Sequence, residues 1–148
     1  MFLTKECDYG VRVIRALADG TKKTVEVISQ EEQIPKKYAY KIVKKLEKDG
    51  FLKSLRGRNG GYVLNKPLNT FTLASVVSTI DASRYINDCL KADYDCPFKE
   101  KAENPCKVHR ELDRIQQLVL HELGSKTMEV MLQDELKKIN EKRCRCGA

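Results

Sequence analysis

Segment 34–64 leaves the chain little choice of fold. Ile34-Pro35 opens a helix in which Tyr38, Ala39, Ile42, Val43 and Leu46 form an inward face, while Lys36, Lys37, Tyr40, Lys41, Lys44, Lys45 and Lys48 lie mostly elsewhere. Asp49-Gly50 stops that helix, glycine being the usual residue past a helix C-terminus. Phe51-Leu52-Lys53-Ser54-Leu55 and Tyr62-Val63-Leu64 then pair as strands across Arg56-Gly57-Arg58-Asn59-Gly60-Gly61. Asn59-Gly60 is the favoured pair for a tight primed turn, because both residues tolerate positive φ.

Two shorter helices are expected upstream. The first runs over about residues 5–18, with Val11, Ile14, Leu17 and Ala18 at helical spacing and Asp19-Gly20 as its stop. The second follows Thr24, carries Val25, Val27 and Ile28, and ends near Gln33. Two helices, a basic helix and an arginine-tipped hairpin describe a winged helix-turn-helix over residues 1–66. A connecting helix is predicted within 67–82, starting near Leu73 and bearing Val76, Val77 and Ile80. Residues 83–107 form a cysteine-rich loop, and residues 108–140 a long helix and a terminal one. In the long helix Leu112, Ile115, Leu118, Val119 and Leu123 follow the helical period. Thr127 caps the terminal helix, whose apolar residues are Met128, Met131, Leu132, Leu136 and Ile139, and the polar tail 141–148 frays. The fold class is mainly α with a small β-hairpin wing. The long helix has too little chain after it to be covered, so its stripe is expected at a homodimer interface.

The charge distribution supports a polyanion partner. Residues 1–70 carry 15 Lys/Arg against 8 Asp/Glu, whereas residues 71–148 carry 13 of each. Within residues 36–58 there are 9 basic and 2 acidic residues. A lysine-rich helical face by itself is most often merely solvated. Joined to helix-turn-helix order and a glycine-arginine wing, it points to double-stranded DNA. Lys36, Lys37, Tyr40 and Lys41 lie early in the helix, where base edges are met, and Lys44, Lys45 and Lys48 are better placed for phosphates. Arg56 or Arg58 would enter a minor groove, with Asn59, Gly60, Gly61 and Tyr62 letting the wing approach the duplex.

No run of about 18 apolar residues exists, so no membrane span is expected. The N-terminus has neither an apolar h-region nor a small-residue cleavage site, so a cytoplasmic location is expected. In a reducing compartment, clustered cysteines more often bind metal or do redox work than form disulfides. Cys89, Cys96 and Cys106 are separated by six and nine residues, and His109 follows Cys106 by three, on the same face of a starting helix. Three thiolates and an imidazole suit zinc or an iron–sulfur cluster, and spacing alone does not choose between them.

Leu3-Thr4-Lys5 with Asp8-Tyr9-Gly10-Val11, the wing Arg56-Gly57 with Gly60-Gly61-Tyr62, and the order Cys89, Cys96, Cys106, His109 carry a resemblance. Over about residues 1–135 the chain is similar to the Rrf-type family of bacterial winged-helix repressors, with its IscR-, NsrR-, RirA- and CymR-like branches. The resemblance implies a homodimeric transcription regulator, not an enzyme, that binds an inverted-repeat operator. It also implies an iron–sulfur cluster, 2Fe-2S favoured over 4Fe-4S, whose state reports iron supply, oxidants or nitric oxide. Its fourth ligand is His109, as in the IscR-like branch, or Asp8 of the partner subunit, as in the NsrR-like branch. His109 is favoured because the local Cys-x-x-His pair needs no intersubunit geometry. In a CymR-like alternative, Cys89, Cys96 and Cys106 are sensor thiols or structural zinc ligands. A Cys106–His109 enzyme is a distant third reading, since no orienting group or oxyanion element accompanies the pair. Cys7 reads as a small core hydrophobe, Cys144-Arg145-Cys146 as part of the tail, and His121 as exposed.

Overall fold

Threonine caps set the starts of four of the helices in the computed structural model, which describes residues 3–57, 60–81, 85–97 and 106–138. Helix α1 (Lys5–Ala16) begins where the Thr4 hydroxyl accepts the Cys7 N–H, and α2 (Val25–Glu31) where Thr24 accepts the Val27 N–H. Helix α3 (Lys36–Lys48) has Pro35 as its N-cap, so proline sits one position before the first helical residue. Strands β1 (Leu52–Leu55) and β2 (Gly61–Leu64) pair antiparallel, Leu52 opposite Leu64 and Leu55 opposite Gly61. Helix α4 (Leu73–Ile80) starts in a capping box between Thr72 and Ser75. Two single 3-10 turns, Leu68–Thr70 and Asp88–Leu90, punctuate the connections. Helix α5 (Lys107–Gly124) is the long one, followed by α6 (Met128–Met131) and a helical run over 133–138. Among the described residues no helix is long and apolar enough to cross a membrane.

The first helix stops at Ala16, two residues before the expected end, because Asp19 turns the chain. Its carboxylate accepts both the N–H of Thr21 at 2.8 Å and the Thr21 hydroxyl at 2.7 Å. Between α2 and α3, Gln33 takes φ +52°, a left-handed conformation that costs a non-glycine residue about 1–2 kcal/mol. Two bonds hold that corner: the Ile34 N–H donates to the Ser29 carbonyl at 3.0 Å, and the Ser29 hydroxyl donates to the Ile34 carbonyl at 2.7 Å.

One core serves both halves of the chain. Ile14, Leu17, Ile28, Ile34, Ile42, Leu46 and Val76 are fully buried, and Phe51 meets Phe71 edge-on at 5.0 Å between ring centroids. Met128 and Leu132 enter the same cluster, and the Met128 N–H donates to the Phe71 carbonyl at 2.9 Å. The terminal helix therefore packs against the 3-10 turn Leu68–Thr70 and into the shared core. Of its expected apolar face, Met131 is exposed, and Ile139 lies outside the described residues. Val27, expected on the inner side of α2, is also exposed.

Gly10 lies at the crossing of α1 and α4, where a Cβ would stand 2.8 Å from Ile80 Cγ1. Adding that carbon forces the two helices apart, an overpacking cost of about 1–3 kcal/mol against a helix-propensity gain of about 1 kcal/mol. Gly10→Ala is therefore expected to lower the thermal midpoint by about 2–4 °C. An unchanged or raised midpoint in a melting curve would show that α4 gives way freely.

Candidate nucleic-acid interface and cysteine segment

Helix α3 divides its residues cleanly. Ala39, Ile42, Val43 and Leu46 are buried, while Lys36, Lys37, Tyr40, Lys41, Lys44 and Lys48 are exposed. Two expectations need correction. Tyr38 is not inward: its ring is 42% exposed and tilts against Tyr9 at 5.7 Å, beside the core rather than in it. Lys45 does not point at solvent. Its ammonium donates to the Ile80 carbonyl at the end of α4 and reaches Glu6 Oε2 at 3.2 Å, because α3 packs against both α1 and α4 there.

Glu6 also pairs with Lys41, so one carboxylate joins the start of α1 to two lysines of α3. The Lys41 hydrogen bond holds the Glu6 carboxyl below its ordinary range; burial opposes this and Lys45 reinforces it. Lys36, Lys37, Lys44 and Lys48 form no ion pair among the described residues, and this helix turns all four outward. Tyr40 donates its hydroxyl to Glu26 on α2.

The wing stands beside this face. Arg56 is exposed at its tip, and Arg58 and Asn59 lie outside the described residues. The Gly60 N–H donates to the Gly57 carbonyl at 2.9 Å, so Gly60 is the last residue of the turn rather than a central one. A Cβ on Gly60 would lie 2.6 Å from the Leu55 carbonyl oxygen, and one on Gly61 would lie 2.8 Å from that of Lys23. Close approach within the protein thus accounts for these two glycines, as β2 also pairs with Lys23 through Tyr62 on its outer side. Tyr62 is half-buried there, and burial raises its phenol above the usual range.

The cysteine segment is anchored to α5. Gln116 is only 3% exposed, and its Oε1 accepts the Ile86 N–H at 2.8 Å. Three residues on, Cys89 sits in a 3-10 turn, its N–H donating to Asn87 Oδ1 at 3.1 Å, and this turn packs on α5. Cys106 is the N-cap of α5, and its sulfur accepts the His109 N–H at 3.5 Å. Cys89 and Cys96 are half-buried and Cys106 is exposed; all are free thiols. The donor types suit a cluster or zinc. Yet no group of three Cys, His, Asp or Glu side chains is gathered for a metal among the described residues. Asp8 pairs with Arg12 of its own helix at 3.1 Å. Cys7 is a core residue whose sulfur accepts the Thr4 hydroxyl at 3.3 Å, and His121 is exposed. Cys144 and Cys146 lie outside the described residues.

The stripe of α5 divides in two. Leu112, Val119 and Leu123 are half-buried against the chain itself, whereas Ile115, Leu118 and Val108 are exposed, Leu118 by 51% and Val108 by 66%. Periodicity found the stripe but could not separate these faces.

The model of the Rrf2 family, described as iron-dependent transcriptional regulators, matches residues 3–134. The chain belongs to the Rrf2 family. Protein aau3 of Rhizobium meliloti is 32% identical over 101 residues, a match spanning 66% of each chain. Among solved structures, CymR (YrzC), the global cysteine regulator of B. subtilis, superposes with TM-score 0.69 at 23% identity, covering 90% of this chain and 97% of CymR. T. potens IscR gives TM-score 0.68 at 20% identity, covering 91% and 88%. These likenesses establish the winged-helix fold. Rrf2 proteins are DNA-binding transcription regulators, which removes the Cys106–His109 enzyme reading.

The Glu6 bridge has a pH signature. A carboxyl whose folded pKa lies below its unfolded value of about 4.5 contributes stability above that value, and the contribution is lost as pH falls through the folded pKa. Glu6→Gln is expected to lower stability by about 0.5–1 kcal/mol near pH 7, discounted for partial exposure, and by less near pH 3. Urea denaturation at both pH values checks this; a gap undiminished in acid would place the effect elsewhere.

Proposed function

We propose that this Rrf2-family protein is a homodimeric, cytoplasmic bacterial repressor that reads an inverted-repeat operator with α3 and the wing. In this reading its DNA affinity follows iron, redox state or nitric oxide through Cys89, Cys96 and Cys106. The observation that carries the DNA reading is the division of α3. Its apolar side is used up in the core, and its other side offers Lys36, Lys37 and Tyr40 at the helix start and Lys44 further along. A helix laid in a major groove meets base edges with its first turns and phosphates with its flanks. Lys41 would leave Glu6 for a phosphate, whereas Lys45 is held by Ile80 and Glu6 and serves the fold. Arg56, exposed at the wing tip, and Arg58, two residues on in the sequence, suit the negative potential of a minor groove.

The exposed residues Val108, Ile115 and Leu118 of α5 support the dimer, since an uncovered apolar helix face in a DNA-binding protein is economically covered by a second copy. Half-sites would then be spaced by whole helical turns. Leu118→Arg is expected to sediment as a monomer and to lose about tenfold or more in operator affinity. Wild-type affinity should fall steeply with salt as lysines release counterions from phosphates. A dimeric variant, or binding indifferent to salt, would count against the arrangement.

For sensing, Cys89, Cys96, Cys106 and His109 are the groups that would hold an iron–sulfur cluster. Asp8 of the partner subunit is less favoured, because Arg12 already holds this carboxylate. A cluster supplies a link between these residues that oxidants, nitric oxide or iron shortage breaks. What this chain contributes is the attachment of both ends of the segment to α5, through Gln116–Ile86 and the Cys106 cap. One observation favours a second reading, in which the cysteines act as separate sensor thiols or as zinc ligands: as described, they are not gathered around one point. Iron, acid-labile sulfide and zinc per chain, measured on protein purified without oxygen, separate the two. Iron with matching sulfide, lost in Cys89→Ala, Cys96→Ala or Cys106→Ala, is the expected result. Stoichiometric zinc without sulfide, or no metal, would move sensing to the zinc-bound or free thiols.

A further inference from the structure

Helices α2 and α3 pack together and bury Ile28, Ala39 and Val43 in the shared core, so the pairing of Tyr40 with Glu26 is an addition outside that core. Both side chains lie outside the core: Tyr40 is 45% exposed, and Glu26 is half-buried in the first turn of α2. Tyr40 is the fifth residue of α3, in the half of the helix that meets base edges in the reading above. The Tyr40 hydroxyl holds the Glu26 carboxyl below its ordinary range, helped by hydrogen bonds from its own backbone N–H and from Thr24 and by the charge of Lys36. The same contact raises the Tyr40 phenol, which therefore keeps its proton at neutral pH.

The chemistry of the pair has one consequence for DNA. An ionised carboxylate only accepts hydrogen bonds, so in this contact Tyr40 must be the donor. A phenol has a single proton; once it is directed at Glu26, the oxygen offers only lone pairs to anything else. In the major groove adenine N6 and cytosine N4 are donors, whereas adenine N7, guanine N7 and O6 and thymine O4 are acceptors, so guanine and thymine offer no donor there. We propose that Glu26 orients the Tyr40 hydroxyl so that Tyr40 acts as a fixed acceptor, selecting an amino base, adenine or cytosine, on the strand it faces. A keto base there sets acceptor against acceptor and leaves the phenol oxygen unsatisfied. Released from Glu26, the hydroxyl rotates, donates or accepts as required, and tolerates all four bases. Glutamine at position 26 gives that release, because its amide can itself donate to the phenol oxygen.

This inference rests on the DNA-reading role of α3. Its test is selection from a random duplex library with the reduced 148-residue chain, run in parallel for wild type, Tyr40→Phe and Glu26→Gln. Thermal melts of each protein confirm that it is folded. In the wild type, one position per half-site is expected to be restricted to adenine or cytosine, with keto substitutions weakening binding about threefold to tenfold. Both variants are expected to lose that restriction. If the wild type shows no such position, or if Tyr40→Phe keeps it, Tyr40 does not read a base. If only Glu26→Gln keeps it, Tyr40 reads without Glu26 setting its direction, and the assignment to the pair is overturned. Should the wild type enrich no duplex and show no salt-dependent binding, the DNA reading itself fails, a different result from enrichment without an amino position.

Discussion

Burial of one side of α3 is the constraint on which the rest of the molecule depends. Ile42, Val43 and Leu46 leave water almost completely, each contributing about 1.5–3 kcal/mol, and with Ala39 they fix the rotation of the helix about its axis. Once that rotation is set, helical geometry places Lys36, Lys37, Lys44 and Tyr40 outward without further instruction. The surrounding polar contacts refine the surface rather than create it. Glu6 draws Lys41 and Lys45 toward α1, Glu26 takes the proton of Tyr40, and the Arg15–Glu32 pair locks the corner before α3.

The second half of the chain is tied to the first at two levels. Met128 and Leu132 complete the core, so the DNA-reading unit is not finished until the chain has passed through the cysteine segment and the long helix. Gln116, a buried polar residue on α5, holds the backbone three residues ahead of Cys89. The cysteine segment is therefore attached to the same helix that carries the exposed residues Val108, Ile115 and Leu118. The cysteine segment and the exposed side of α5 are thus parts of one physically continuous element.

Much of the architecture was legible because it rests on local signals. Thr24 and Thr127 announce helix starts through the N–H groups they cap; Asp49-Gly50 marks a stop; and the spacing of Val76, Val77 and Ile80 gives the connecting helix. The misjudged positions have a common cause. Tyr38 is apolar enough to be counted inward, yet sits against Tyr9 at the edge; Lys45 is charged enough to be counted outward, yet finds the Ile80 carbonyl and Glu6. Gln116 drew no attention in the sequence, since a glutamine on an amphipathic helix is ordinary until the segment containing Ile86 folds over it. A polar residue flanked by Leu112, Val119 and Leu120 at helical spacing was the one signal that could have found it.

By itself the sequence determined the order and type of the elements, the basic helix with its wing, and the presence of thiol and imidazole donors around the start of α5. These follow from periodicity, caps and composition, which act within a few residues along the chain. Only the tertiary structure decided which lysines remain free, why Gly10, Gly60 and Gly61 must be glycine, which side of α5 is already covered, and that Glu26 meets Tyr40. Each of these depends on groups between 5 and 70 positions apart being brought within a few ångströms, as Gly10 and Ile80 are. Such distances are set by how helices pack around a shared core, and no local pattern encodes them.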